Sequence, residues 1–162
     1  RKVFVNSGIR YDMIVSDRTH GRDYLQSIVD SHVSGQMKVA PEHVSDRVLD
    51  LMGKPHSDVL DDFKSMFDDC VQCSGRDLYL TYYFMAAHPG CDEEDMRRLR
   101  SYCSNRLHMI PEQVQVFTPT PSTYSTAMYV SRSDVSGRPV FAEHSIQKRQ
   151  KQKEIVTKGR KS

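Results

Sequence analysis

The chain has 162 residues, of which 38% are hydrophobic and 27% charged, a balance that excludes a disordered segment and supports roughly one globular domain. The sequence has no uninterrupted apolar stretch near the ~18 residues of a membrane span and no charged-then-apolar leader at its opening, so a cytoplasmic protein without a membrane partner is expected. The net charge of +2 hides an asymmetry: residues 147–162 carry seven basic residues and the single acid Glu154, leaving 16 basic and 20 acidic residues in the body. Such a tail reads as solvated helix or disorder, and nucleic-acid contact through it is the less favoured reading.

In chain order, Val3-Phe4-Val5-Asn6-Ser7 reads as a buried strand closed by Gly8. A helix follows, with Tyr24, Leu25, Ile28 and Val29 on one face. Gly35 to Ala40 reads as a second strand, stopped by Pro41. Ser45 is placed to cap a helix with Val48, Leu49 and Met52 inward and Gly53 at its end. Ser57 opens another helix, with Leu60, Phe63 and Phe67 at helical spacing. Leu78 to Ala87 reads as a third strand ending at His88-Pro89-Gly90. Asp92 caps the next helix, with Glu93, Glu94 and Asp95 in a first turn that favours acids. Val114 to Phe117 reads as a fourth strand, ended by Thr118-Pro119-Thr120-Pro121. Beyond it, Ala127 to Val130 and Pro139 to Phe141 read as a hairpin around a turn-rich loop, followed by the basic tail.

Strands alternating with helices at these spacings predict an α/β fold with a parallel sheet. Chemistry in such folds gathers where strands end, and each predicted strand ends in polar groups. The first delivers Ser7, Arg10 and Asp12, the second Lys38, Glu42 and His43, the third His88, and the fourth Thr118 and Thr120. Bland roles compete for each. Arg10 can pair with a neighbouring acid, Glu42 can simply complement a helix dipole, and His43 can end its strand. Lys38 between Met37 and Val39 is expensive in a two-sided sheet unless it meets a polar lumen. Cys70-Val71-Gln72-Cys73 has no second pair and no histidines at finger spacing, so it reads as structural. With no secretion signal, all four cysteines read as reduced thiols.

Four segments carry a family likeness: Val5 to Asp12, Val33 to Ser45, Ala87 to Cys91, and Pro111 to Pro121. They resemble the later barrel strands of radical S-adenosylmethionine proteins of the YgiQ-like group. The resemblance implies that residues 1–126 are the C-terminal half of a (βα)6 partial TIM barrel and that 127–162 form an extension with the hairpin and tail. It implies an enzyme that uses a [4Fe–4S] cluster, a one-electron donor and S-adenosylmethionine to generate a 5′-deoxyadenosyl radical, with its substrate unknown. It assigns cofactor contact to Ser7, Arg10, Lys38, Glu42, His88 and Gly90. The CxxxCxxC loop that would ligate the cluster is absent from this sequence, so the 162-residue chain alone is expected to be inactive, with no metal ligands of its own. Two other readings stand beside it. One is a divalent-metal barrel hydrolase or isomerase using His43, His88, Glu42 and Asp12. The other is a non-catalytic binding fragment.

Overall fold

A computed structural model describes residues 3–158. The chain divides into two compact units, one of Arg1–Pro41 with Ser57–Tyr82 and one of Glu42–His56 with Tyr83–Ser162. Three strands form a parallel sheet in the order β1-β2-β3, where β1 is Gln36–Glu42, β2 is Tyr79–Ala86 and β3 is Gln113–Val116. The α/β expectation therefore holds, and three of the four predicted strands lie within a residue or two of their expected places.

In the first unit, α1 (Tyr11–Ser16), α2 (Gly21–Ser31) and α4 (Ser57–Ser74) pack around an apolar core. Leu25, Ile28 and Val29 of α2 and Leu60, Phe63 and Phe67 of α4 are all nearly inaccessible, as the 3.6-residue period requires. Tyr11 and Phe67 flank Phe63, with ring centroids 5.7 and 6.3 Å away. A β-carbon at Gly21 would lie 2.0 Å from the carbonyl oxygen of Ile14, so only glycine permits this approach of α2 to α1. The α2 end is closed from outside the helix. Arg76 donates to the carbonyls of Val29, Asp30 (3.1 Å) and Val33 (2.7 Å), satisfying acceptors that the helix terminus leaves without partners.

In the second unit, α3 (Asp46–Met52), α5 (Glu93–Asn105), α6 (Tyr124–Ser131) and α7 (Ile146–Thr157) accompany the end of β2 and β3. Tyr83 to Ala86 pair in parallel with Gln113 to Val116. The expected α5 cap is a complete capping box: Asp92 accepts from the N–H groups of Glu94 and Asp95, and Asp95 accepts from the N–H of Asp92.

Three sequence expectations need correction. Val3 to Ser7 is not a strand. Val3 and Phe4 are exposed, and the segment is held to His32 by the Val5 N–H donating to the His32 carbonyl and by the Val3 carbonyl 2.8 Å from the His32 Nδ1, with a lone bridge further on between Ile9 and Val39. An apolar run without a ladder has nothing to hold it extended as sheet. Second, Ala127 to Val130 belongs to α6 and not to a hairpin. Thr123 accepts from the Thr126 N–H, and this cap outweighs the strand propensity of Tyr129 and Val130. What remains of the hairpin is one antiparallel bridge, Ser133 to Pro139. Third, the tail takes the helical one of its two expected forms, as α7, but is not wholly solvated, since it buries Gln152 and Val156; Arg160 and Lys161 lie outside the described residues. None of the described helices is long and apolar enough to cross a membrane.

Candidate functional site

Three strand ends meet in the second unit. A cleft of about 400 Å³ is lined by Glu42 from the end of β1, His88 from just past β2, and Thr118 and Thr120 from beyond β3. Lys54, after α3, and Ser125, in the first turn of α6, complete its polar wall, while Met85, Val116 and Phe117 supply an apolar one. The parallel arrangement explains the convergence, because every strand delivers its C-terminal residue to the same end of the sheet.

The backbone is unusual at two of these ends. Glu42 has φ +67° and Ala87, immediately before His88, has φ +59°. L-residues enter this region at a cost of roughly 1 kcal/mol or more, so the surroundings must hold them there. Pro41 precedes Glu42 and contributes no N–H to the ladder. Ala87 is pinned from the tail: its N–H donates to the Gln152 side-chain oxygen at 3.0 Å, and the Gln152 amide donates back to the Cys91 carbonyl at 3.4 Å.

In the cleft wall the Glu42 carboxylate lies 3.6 Å from the Lys54 ammonium. Burial pushes the Glu42 carboxyl above its usual range, and Lys54 partly offsets this. The His88 ring meets Phe117 edge to face, with centroids 5.3 Å apart. His88 is itself buried, which lowers its affinity for a proton. Its Nδ1 lies 2.8 Å from the Pro89 carbonyl and its Nε2 2.8 Å from the Ser125 hydroxyl.

The sequence-derived candidates are distributed between the units. Glu42 and His88 share the cleft. Gly90 is buried in the same unit, with φ +89° and its N–H donated to the Phe141 carbonyl at 2.7 Å. Ser7, Arg10 and Lys38 belong to the first unit. Ser7 is exposed, and Lys38 is half-buried on the face of β1 that alternates with Met37 and Val39. Arg10 is exposed, with its Nε and Nη2 donating to the two Asp12 carboxylate oxygens at 2.9 and 2.6 Å. This fork raises the guanidinium's pKa and lowers that of Asp12 through the side-chain hydrogen bond.

His43 has no exposed surface. Its Nδ1 accepts the Ser45 N–H at 2.9 Å, which fixes the neutral ring's proton on Nε2, 3.7 Å from the Cys91 sulfur. Burial, followed by the charges of His88 and Arg47, pushes its pKa down to about 4. Among the described residues no three His, Cys, Asp or Glu side chains gather closely enough to hold a metal ion. Cys70 is buried within α4 and Cys73 is exposed near its end.

Lys54, Ser125 and Gln152 were not singled out from sequence. Lys54 carries a faint signal, sitting between the terminating Gly53 and Pro55, and Ser125 follows the threonine–proline run that ends β3. Gln152 lies amid lysines and gives no signal.

No known family model matches the chain. It is similar over its whole length to the UPF0313 protein of Fusobacterium nucleatum, 50% identical across 163 aligned positions. It is 42% identical over 150 residues to a UPF0313 protein of Methanocella arvoryzae, and 39% identical over 157 to one of Thermotoga neapolitana. The chain spans 29%, 24% and 27% of the lengths of these three relatives.

Proposed function

We propose that this chain is the cofactor-holding later part of a radical S-adenosylmethionine enzyme's barrel, and that its cleft receives the nucleoside part of S-adenosylmethionine. The convergence of Glu42, His88 and Thr118 from three consecutive strand ends onto one cleft carries this reading. The donor set suits that part of the cofactor. A half-buried carboxylate is a strong acceptor for vicinal hydroxyls, and the apolar wall of Met85, Val116 and Phe117 offers a flat heterocycle a surface to lie against. Lys54 offsets part of the upward push that burial exerts on the Glu42 carboxyl. The strained Glu42 and Ala87 backbones hold their neighbours in a fixed orientation before a ligand arrives.

The four segments from Val5 to Pro121 that resemble this family support the same reading, and with them the assignment of Ser7, Arg10, Lys38 and Gly90 to cofactor contact. An arginine fork is the natural partner for the cofactor's carboxylate. The cluster does not fit this chain: Cys70 and Cys73 are a lone pair in α4, so its ligands would come from sequence outside these residues. When bound together, cluster and cofactor supply the one-electron cleavage that yields the 5′-deoxyadenosyl radical. Placement of the cofactor and exclusion of water are then left to the chain.

The test is calorimetric titration of S-adenosylmethionine into the anaerobically reconstituted full-length protein. Glu42→Gln and Arg10→Lys should each weaken binding roughly ten- to a hundredfold, the cost of a charge-assisted contact, with melting temperatures unchanged. 5′-Deoxyadenosine should form from the reduced full-length protein and not from the 162-residue chain. A full-length protein that binds neither iron nor S-adenosylmethionine overturns the reading. Unchanged affinity in Arg10→Lys removes Arg10 alone and leaves it as the partner of Asp12.

A further inference from the structure

We infer that a groove bordering the cleft holds the substrate, and that the substrate is an uncharged molecule with an aliphatic body. This rests on the cofactor reading above and names the class of substrate which that reading leaves open.

The groove is formed by the end of α3, the first turns of α6 and the turn beyond α6, and has a volume of about 770 Å³. Met52, Thr123 and Ser125 line both the groove and the cleft, so the two spaces adjoin. A carbon radical formed in the cleft needs its target held at near contact, in an adjoining space. The groove is such a space.

The lining decides what fits. Leu51 and Met52 come from α3, Tyr124 and Met128 from successive turns of α6, and Val135 from the turn beyond. Tyr124 and Val135 are 78% and 81% exposed, so two large apolar side chains on one groove gain by being covered. The polar groups of the lining are already engaged. Asp134 accepts from the Arg138 Nε at 2.6 Å and from the N–H groups of Ser136 and Arg138 at 2.8 and 2.9 Å. Asp50 accepts from the His56 Nε2 at 2.7 Å. The Thr123 hydroxyl caps α6, and the Ser125 hydroxyl lies 2.8 Å from the His88 Nε2. A ligand charge placed here would give up water and meet charges that are already paired with one another. Apolar surface is what the groove has left to offer, and aliphatic C–H bonds are targets that call for radical chemistry.

The test is calorimetric titration of octanol, octanoate and octylammonium into the reconstituted, unreduced full-length protein carrying S-adenosylhomocysteine. Octanol should bind about tenfold more tightly than either ion. Tyr124→Ser and Val135→Asp should each weaken octanol about tenfold with melting temperatures unchanged, because both side chains are exposed. Interligand nuclear Overhauser effects should connect the octanol chain to the ribose protons of S-adenosylhomocysteine. Equal or tighter binding of either ion overturns the inference, as does octanol binding that is unchanged in both variants or shows no interligand effect. Octanol that fails to bind, as when another segment of the full-length protein fills the groove, overturns it too. S-Adenosylmethionine is titrated into the same samples. If it binds, any of these results leaves the cofactor reading standing; if it does not, the reading falls and the substrate role falls with it.

Discussion

The Ser45 hydroxyl donates to the Asp95 carboxylate at 2.8 Å, joining the start of α3 to the first turn of α5. Ser45 occupies the N-cap position of α3, yet its side chain makes no capping bond there. Asp95 is 2% exposed, and besides Ser45 it accepts from Arg47 and from the Asp92 N–H. One carboxylate thus serves as a capping-box member, an ion-pair partner and a tether between helices. Asp95→Ala should cost about 2–4 kcal/mol, since it strands a buried hydroxyl and removes half of the capping box. Asp95→Asn should cost less, because it keeps acceptor capacity. Urea unfolding of both variants checks the order.

His43 makes the protein sensitive to acid. Its pKa is about 4 in the folded chain against an ordinary value of 6.5, so below pH 6.5 the unfolded chain takes up a proton that the folded chain refuses. Stability from the neutral ring is fully present above pH 6.5 and is lost as pH falls from there toward 4, by on the order of 3 kcal/mol in total. His43→Asn can still accept the Ser45 N–H and does not titrate. Unfolding free energies measured from pH 8 to pH 4 should therefore fall less steeply in His43→Asn than in the parent protein.

Gly90 has a steric requirement independent of any ligand. Its φ is +89°, and a β-carbon there would lie 2.2 Å from the Leu51 Cδ1. Gly90→Ala should destabilise the fold by about 1–3 kcal/mol through strain and overpacking. Leu51→Ala removes the colliding methyl, so the double variant should be more stable than the sum of the single costs implies. A double-mutant cycle by thermal unfolding measures the difference.

Gln152 links the lysine-rich α7 to the strained turn at Ala87. Gln152→Leu leaves the Ala87 N–H buried without its acceptor, for a loss of about 1–3 kcal/mol. Because Ala87 precedes His88, the same change should weaken S-adenosylmethionine binding several-fold in the full-length protein. Gln152→Glu keeps an acceptor oxygen and should weaken binding less. Paired melting and titration experiments separate the two effects.

Much of the fold was legible because local signals agreed with one another. Asp92 and the acids after it announced α5, Leu25, Ile28 and Val29 announced α2, and the Leu78 to Ala87 run announced β2. Glu42 and His88 were legible as site residues because parallel strands carry their ends to one place. Other features depend on contacts that sequence pattern does not encode. Val3 to Ser7 has the composition of a strand, and a strand needs a ladder. Ala127 to Val130 has strand-forming residues, and the Thr123 cap makes them helical. Gln152 looks like one more polar residue on a basic helix until Ala87 and Cys91 are seen beside it. Ser125 meets the His88 Nε2 from the first turn of α6, a contact across 37 positions that no local pattern signals.

The same helix has a bearing on solubility. β3 stands at one end of the described sheet, and α7 packs against it. Just past the strand, the Arg149 guanidinium donates to the Phe117 carbonyl. An uncovered strand at a sheet's margin is a template for pairing with another copy of the chain. In this protein the helix packed against that strand is rich in lysine and arginine, and charge beside a sheet margin opposes such pairing. A version shortened at Ser145 would lose that packing and that charge at once, and should self-associate more readily than the parent.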